Sequence, residues 1–250
     1  MEIDNIYNMD CLEGMKLIPD GSVDAIICDL PYGTTRNQWD SVIPFDRLWE
    51  AYKRVTKPNA AIVLFCQQPF TSALVMSNPD MFRYEWIWIK ESGTGFLNAN
   101  RMPMKIHENV LVFYRTLPIY NPQLTKGKKY KHTSPQGNTS SNYGKSNPYT
   151  CTNDGVRQPV DCIEVDREAN TFHPTQKPVA LYKWILSNYA NAGDLILDTH
   201  VGSASSLIAC EDMGFRYVGF EIDKEYYQKA SARLEEFRAQ THMDFYRLLP

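Results

Sequence analysis

The chain has 250 residues, of which 43% are hydrophobic and 22% charged, and its formal net charge is −3. This length suits one large α/β domain, and the composition excludes wholesale disorder, which requires low hydrophobicity and high net charge. The longest unbroken apolar run, residues 60–66, is too short to cross a bilayer. The N-terminal segment carries acids where a signal peptide carries bases, and the six cysteines form no CxxC pair, so we expect a cytoplasmic protein with reduced thiols.

The first part of the chain alternates short apolar runs with segments of helical spacing. The run at 23–29 ends in a polar residue and is soon followed by a proline, as a buried parallel strand is. The predicted strands are 4–10, 23–29, 60–66, 84–90 and 109–114, and the predicted helices are 12–17, 44–55 and 69–77.

A basic segment at residues 90–147 interrupts this pattern. It carries nine lysines and arginines and two acids, a net charge of +7, whereas the rest of the chain carries −10. Its centre is rich in Gly, Ser, Asn, Pro and Tyr and has no helical or strand period, so we expect a long mobile surface loop. A solvated linker is one interpretation. The other is a polyanion-binding insertion in which lysines contact phosphates and tyrosines stack on bases.

The alternating pattern then returns, with predicted helices at 178–189, 203–213 and 224–240 and predicted strands at 195–198 and 217–223. Strands that alternate with helices predict a doubly wound, mostly parallel α/β sheet. Ligands bind such sheets beyond the carboxyl ends of the strands. Polar residues that directly follow a strand are therefore the candidate site residues.

The first such cluster is Asp29-Leu30-Pro31-Tyr32. Its turn brings an acceptor side chain, backbone carbonyls and an aromatic face into a small space. This set suits an exocyclic amino group on a flat ring, because the acceptors hold its N–H groups while the tyrosine stacks on the ring. An ordinary strand-to-turn corner is the alternative interpretation.

Three further clusters lie in the second half of the chain. At 197–205, Gly202 allows close backbone approach before a helix N-terminus that favours a carboxylate. Glu221 ends the next strand, where an acid holds ribose hydroxyls. The run HPTQKP at 173–178 contains two prolines and is either a binding segment or a structural loop. Its donors for a carboxylate are Thr175, Gln176 and Lys177.

Together these clusters resemble the S-adenosylmethionine-dependent amino-methyltransferases that act on DNA, most closely their β class. Members of that family carry D-P-P-Y, H-P-T-Q-K-P, D-P-F-x-G-S-G-T and G-x-E-[IL]-[DN]. The corresponding segments here are DLPY at 29–32, HPTQKP at 173–178, DTHVGSAS at 198–205 and GFEID at 219–223. The resemblance implies a Rossmann-like, seven-stranded methyltransferase sheet. It also implies a single catalytic domain over 1–250 that contains a target-recognition insertion at 116–170.

The resemblance further implies that the methyl group of S-adenosylmethionine is transferred to N6 of adenine by direct in-line displacement on a flipped-out base. Asp29 would accept a hydrogen bond from the target amino group and the Leu30 carbonyl a second, which draws the nitrogen lone pair out of ring conjugation. Pro31 would fix the turn, and Tyr32 would stack on the base.

A set of cofactor-binding residues is implied in the same way. They are Asp198, Gly202 and Ser203 for the methionine part, Thr175 and Lys177 for its carboxylate, Glu221 for the ribose hydroxyls, and Asp10 with Cys11 for the adenine edge. Three residues depart from the family pattern, since Leu30 replaces a proline, His200 a phenylalanine and Ala204 a glycine. Leu30 acts through its carbonyl, so we expect a looser turn with its chemistry kept, whereas the other two departures bear on cofactor affinity.

The family reads its target between the catalytic motif and HPTQKP, where the basic segment lies. DNA is therefore the implied partner, with a homodimer left open and no membrane or metal partner implied. We expect phosphate contacts that are independent of base sequence and weaken steeply with salt. The residues expected to make them are Lys126, Lys128, Lys129 and Lys131.

Three alternatives accompany this interpretation. N4 of cytosine is the alternative target, although cytosine-N4 members more often have serine where this chain has Asp29. A catalytically idle DNA-binding module would explain the altered motif around His200, but DLPY and HPTQKP argue against it. A zinc site is disfavoured because the spacings in the candidate ligand set exceed those of finger patterns. That set is His132, Cys151, Cys162 and His173.

Overall fold

The computed structural model describes residues 1–33, 42–138, 140–142, 144–169, 171–173 and 175–247, with side chains described to residue 241. The chain divides into two compact units. The main unit consists of the residues up to 121 and from 161 onward, and the inserted unit is Pro122–Val160.

The elements follow one another in chain order as strands and helices. The strands are β1 (Asn5–Asn8), β2 (Val23–Asp29), β3 (Thr56–Cys66), β4 (Phe82–Thr94), β5 (Lys105–Phe113), β6 (Thr125–Lys126), β7 (Tyr130–Ser134), β8 (Tyr149–Asn153), β9 (Val156–Arg157), β10 (Cys162–Glu164), β11 (Leu195–Asp198) and β12 (Arg216–Glu221). The helices are α1 (Cys11–Met15), α2 (Phe45–Val55), α3 (Phe70–Ser77), α4 (Val179–Tyr189), α5 (Ser205–Met213) and α6 (Lys224–Arg247). None of the described helices combines the length and apolarity needed to cross a membrane.

Eight strands form one sheet in the main unit, in the spatial order β1-β12-β11-β2-β3-β5-β4-β10. Neighbouring strands run parallel, except that β5 is antiparallel to both β3 and β4. β2 and β11 are adjacent, and the chain continues from them to opposite halves of the sheet. Their carboxyl ends, Asp29 and Asp198, therefore mark the switch point at which doubly wound sheets bind ligands.

The sheet is buried on both faces because its central strands are apolar on both sides. In β3, Val63 and Phe65 belong to a core cluster that includes residues of α4, α5 and α6. Ile62 and Leu64 belong to a second cluster that includes residues of α1, α2 and α3. Successive side chains of a strand point to opposite faces, so one continuous apolar run supplies both cores.

The doubly wound, mostly parallel α/β fold is confirmed. The sheet has eight strands where we expected seven, because β10 pairs in parallel with β4. β10 has three residues, too few to show a strand period, and for that reason the sequence pattern did not reveal it.

The inserted unit contains regular structure where its composition and lack of a helical or strand period predicted a long mobile surface loop. β6 pairs with β9 and β7 with β8, both antiparallel, and Thr133 Oγ1 lies 3.1 Å from Thr150 Oγ1 across the second pair. Most residues of β7 and β8 are exposed. Strands that are exposed on both faces lack the alternation of polar and apolar residues by which a half-buried strand is recognised.

Candidate active site

The turn that follows β2 places a carboxylate beside an aromatic ring. Tyr32 Oη donates a hydrogen bond to Asp29 Oδ1 at 2.6 Å, and Lys177 Nζ donates one to Asp29 Oδ2 at 2.6 Å. Leu30 is buried in the core cluster that includes α1, and its side chain therefore anchors the turn. The centroid of the Tyr32 ring lies 5.3 Å from that of the Phe70 ring. Both oxygens of the carboxylate are thus held in place.

Lys177 lies between two carboxylates. Its Nζ is 2.6 Å from Asp29 Oδ2 and 3.2 Å from Glu108 Oε2, and Lys90 donates to the other oxygen of Glu108. Lys90, Glu108 and Lys177 are all buried. We expected Lys177 to lie at the cofactor's carboxylate, whereas its ammonium group is engaged by two carboxylates of the chain itself.

Burial and neighbouring charges act in opposite directions on these groups. Burial, the largest effect, raises the pKa of Asp29, and the ammonium group of Lys177 acts to lower it. Burial also acts to raise the pKa of Glu108, but the charges of Lys177 and Lys90 outweigh it and the pKa falls below its ordinary value. Burial acts to lower the pKa of Lys177, but its two carboxylate partners raise it. Glu108 and Lys177 are therefore charged at neutral pH.

Hydrogen bonds to the Asp198 carboxylate hold the turn between β11 and α5 in place. This fully buried carboxylate accepts hydrogen bonds from the backbone N–H of His200 at 2.9 Å and from Ser206 Oγ. Burial raises its pKa to about 6. Gly202 has a φ of 55°, in the left-handed region that favours glycine, and it donates its N–H to Glu221 Oε2 at 2.8 Å. Glu221 thereby joins this turn to the end of β12.

Both turns open on one cavity of about 340 Å³, a size typical of small-molecule sites. Nine of the residues to which the family resemblance assigns a catalytic or cofactor-binding role line it. They are Asp29, Leu30, Pro31, Tyr32, Thr175, Lys177, Gly202, Ser203 and Glu221. The structure thus brings together residues that are separated by up to 192 positions in the chain, from Asp29 to Glu221.

Three proposed cofactor residues do not line this cavity. Asp10 caps α1, and its Oδ1 accepts from the backbone N–H groups of Leu12 at 2.8 Å and Glu13 at 3.2 Å. Cys11 is buried, with Sγ 3.9 Å from His200 Nε2. The third is Asp198. The four proposed DNA-binding lysines belong to the inserted unit and are exposed there.

Sequence reasoning missed Glu108 and Lys90, although both line the cavity. Glu108 lies near the start of β5 and Lys90 near the end of β4, and these antiparallel strands pair Glu108 with Trp88. Both charges therefore fall at the same end of two adjacent strands whose centres are apolar. This coincidence is the signal that would have revealed them.

His200, which stands where the resembled family has phenylalanine, is one of the residues that line the cavity. Nδ1 lies 3.0 Å from Thr199 Oγ1 and 3.4 Å from Cys28 Sγ. Burial lowers the pKa of His200 to about 4. The ring is therefore neutral at physiological pH and takes the place of an aromatic side chain without adding charge to the cavity.

The cavity wall offers what S-adenosylmethionine requires. Each oxygen of Glu221 accepts one backbone N–H and keeps a lone pair for a ribose hydroxyl. A Cβ at Gly202 would meet no atom closer than the His173 ring at 3.6 Å, so backbone is accessible there. Gln176 Oε1 is buried without a hydrogen-bond donor among the described residues. It can accept a hydrogen bond from the ammonium group in the methionine part of S-adenosylmethionine.

The described side chains do not assemble a metal site. No three His, Cys, Asp or Glu residues among them lie close enough together to hold a metal ion. Cys151 and Cys162, two members of the alternative zinc set, are free and exposed.

Known proteins resemble this chain over most of its length. A family model described as DNA methylase matches residues 23–232. The type II methyltransferase M.HpaI of Haemophilus parainfluenzae is 27% identical over 252 residues, which cover 94% of this chain and 76% of the relative. The type II methyltransferase M.HinfI of Haemophilus influenzae is 26% identical over 273 residues, covering 94% of this chain and 69% of the relative.

Solved structures of DNA methyltransferases also resemble this chain over most of its length. The complex of M1.HpyAVI with SAM has 25% identity and a TM-score of 0.63, and the match covers 92% of this chain and 98% of that chain. The cytosine-N4-specific PvuII DNA methyltransferase has 14% identity and a TM-score of 0.67, and the match covers 94% of this chain and 90% of that chain. At that identity the likeness to the PvuII enzyme establishes a shared fold.

Proposed function

The chain belongs to the N6/N4 DNA methylase family, whose enzymes use S-adenosylmethionine, and we propose that it methylates N6 of adenine in DNA. The reacting nitrogen of a paired, stacked base cannot enter a cavity, so the target base is flipped out of the duplex. The observation that carries this proposal is the Asp29 turn. It supplies a fixed carboxylate and an aromatic ring on the wall of the cavity that contains most of the residues we assign to the cofactor.

The Asp29 turn acts by positioning the target amino group. Each oxygen of Asp29 accepts one hydrogen bond within the protein and retains a lone pair, which accepts from the amino group of adenine. The carbonyl of Leu30 accepts the second N–H, and the ring of Tyr32 stacks on the base. Holding both N–H groups turns the nitrogen lone pair out of ring conjugation and towards the methyl carbon, so catalysis rests on orientation and electrostatics.

S-adenosylmethionine supplies a methyl group activated by its bond to a positively charged sulfur. The assigned contacts are Glu221 for the ribose hydroxyls, Thr175 for the carboxylate, Gly202 and Ser203 for the methionine part, and Asp10 and Cys11 for the adenine edge. Asp198 acts indirectly, because its hydrogen bonds order the turn that carries Gly202 and Ser203.

Target recognition is assigned to the inserted unit. Its residues carry six bases and one acid, a net charge of +5. Four exposed lysines, at 126, 128, 129 and 131, lie within six residues of one another. Such a cluster suits the phosphates of a nucleic acid, and contacts to phosphates position a protein on DNA without reading its sequence.

The methylated base identifies the reaction directly. Unmethylated duplex DNA is incubated with the purified chain and S-adenosylmethionine, digested to nucleosides and analysed by mass spectrometry. We expect N6-methyladenine with the wild type and with Asp212→Ala, which changes a surface carboxylate, and none with Asp29→Ala. N4-methylcytosine would overturn the adenine assignment. Failure of the wild type to bind the cofactor in calorimetry would support the idle DNA-binding module instead.

A further inference from the structure

We propose that Lys177 and Glu108 are positioning residues that fix the charge and the orientation of the Asp29 carboxylate during methyl transfer. This inference rests on the proposed function, in which Asp29 accepts the target amino group. It adds two side chains that do not need to touch the base and that act through Asp29.

The contacts form an alternating series of charges drawn from four parts of the main unit. Asp29 ends β2, Lys177 lies in the loop before α4, Glu108 lies on β5 and Lys90 on β4. Lys177 Nζ is 2.6 Å from Asp29 Oδ2 and 3.2 Å from Glu108 Oε2, and Glu108 also accepts from Lys90. Lys90, Glu108 and Lys177 are buried. Loss of the Glu108 charge would therefore leave the Lys90 ammonium group buried without its carboxylate partner, and loss of the Lys177 charge would leave Asp29 without its cation.

This series restricts how the Asp29 carboxylate can rotate. Tyr32 holds Oδ1 and Lys177 holds Oδ2, while Glu108 holds Lys177 from its other side. The free lone pairs of Asp29 therefore point in directions set by the protein before the base arrives. Such preorganisation is what an in-line displacement requires.

The charge of Asp29 depends on the groups that face it from each neighbouring element. These are Tyr32 in its own turn, Lys177 and Tyr182 at α4, Glu108 on β5, Cys66 on β3 and Asp198 on β11. Burial raises the pKa of Tyr32, Tyr182 and Cys66, so these three are neutral. Among these groups Lys177 is the cation that favours ionised Asp29.

Glu108 has two opposing effects on Asp29. It holds Lys177 in place, but its own negative charge disfavours ionisation of Asp29. Loss of the Lys177 charge and loss of the Glu108 charge should therefore shift the protonation of Asp29 in opposite directions. A purely structural role for either residue predicts no such opposition.

The test is the pH dependence of single-turnover methyl transfer at saturating cofactor and DNA. We expect Lys177→Met to move the midpoint of the acid limb upward by about one pH unit or more, and Glu108→Gln to move it downward. Lys177→Arg keeps the charge and should keep a midpoint near that of the wild type. Lys183→Met and Asp212→Asn, which break a half-exposed ion pair between α4 and α5, are matched controls that should leave the midpoint unchanged.

A second measurement does not depend on turnover. In protein labelled with carboxyl-carbon-13 aspartate, the Asp29 resonance is the one lost in Asp29→Asn, and its titration midpoint should move in the same two directions. If the wild type modifies another base or none, the proposed function fails while this titration still tests the pairing. An unchanged midpoint in Lys177→Met overturns the inference, as does a shift of both variants in one direction. If Lys177→Met does not fold, the direction of the Glu108→Gln shift decides.

Discussion

Tyr32 serves the proposed site with two different parts of its side chain. Its hydroxyl donates to Asp29 Oδ1 at 2.6 Å, whereas its ring is available to stack on a flipped base. Burial raises the pKa of Tyr32 well above its ordinary value, so the hydroxyl remains a donor throughout the working pH range. The orienting function and the stacking function can therefore be separated by substitution.

Replacing Tyr32 by alanine should weaken binding of the flipped base more than replacing it by phenylalanine. Stacking of a base on an aromatic ring is worth about 1–3 kcal/mol, which Phe keeps and Ala loses. The measurement is the Kd for duplex DNA with 2-aminopurine at the target position, followed by fluorescence. Tyr32→Phe should mainly slow methyl transfer, because it frees Asp29 Oδ1. Equal Kd values for the two variants would remove the stacking role.

His200 links this site to the pH dependence of stability. Its pKa is lowered by burial from 6.5 to about 4, so between these values the unfolded chain binds a proton that the folded chain does not. The contribution of neutral His200 to the free energy of unfolding is therefore fully present above pH 6.5 and is lost as the pH falls towards 4. The loss between pH 7 and pH 5 amounts to at most about 2 kcal/mol from this residue.

In His200→Phe we expect a smaller difference between the free energies of unfolding at pH 7 and pH 5, measured by urea titration. His173, whose pKa burial also lowers to about 4, is unchanged, so part of the acid sensitivity remains. The control is His107→Gln, at an exposed position. An acid dependence identical to that of the wild type would show that His200 is accessible to protons in the folded state.

At the scale of the element, β12 and the turn after β11 are packed without spare room. Gly219 lies in the middle of β12, paired with Asp198 of β11 and Ile6 of β1. A Cβ at this position would lie 2.5 Å from Val201 Cγ2 and 2.8 Å from Leu207 Cδ1. Val201, next to Gly202 in the turn, leaves no space for a side chain at position 219, so the position requires glycine. Any larger residue there would force β12 and this turn to move apart.

Gly219→Ala should lower the free energy of unfolding by about 1–3 kcal/mol, the usual cost of overpacking a core. It should also weaken cofactor binding in calorimetry, because displacement of Val201 moves the adjacent Gly202. Gly127→Ala is the matched control. The three atoms nearest to its added Cβ all belong to the Arg157 side chain, the closest at 3.1 Å, and we expect a change within about 0.5 kcal/mol. Unchanged cofactor affinity in Gly219→Ala would separate β12 packing from the cofactor turn.

The same elements show what the sequence pattern can and cannot predict. β2 and β3 are apolar runs that end at polar or turn residues, so their existence and the position of Asp29 at a strand end followed from periodicity. The pairing of Lys177 with Asp29 did not, because it joins residues 148 positions apart through the folding of the sheet. β10 and the strands of the inserted unit were missed because they are short or exposed, and neither kind leaves a hydrophobic period.

At the scale of the whole molecule, the net charge of −3 conceals an uneven distribution. The inserted unit carries +5, so the main unit carries −8. Duplex DNA is a dense row of negative charges, and each phosphate contact releases condensed counterions. A mainly acidic main unit with a basic insertion should therefore bind DNA electrostatically through the insertion and repel it elsewhere.

This distribution predicts which lysines set the salt dependence of DNA binding. Replacing Lys126, Lys128, Lys129 and Lys131 together by glutamine should reduce the slope of log K against log salt by about 1 for each lysine that contacts a phosphate. The control variant replaces four exposed lysines of the main unit, Lys16, Lys53, Lys224 and Lys229, and lowers the net charge by the same amount. Slopes are measured by fluorescence anisotropy on duplexes of unrelated sequence, because loss of phosphate contacts should weaken binding to all of these duplexes alike. If both quadruple variants lower the slope equally, net charge governs binding and the inserted unit has no special part in it.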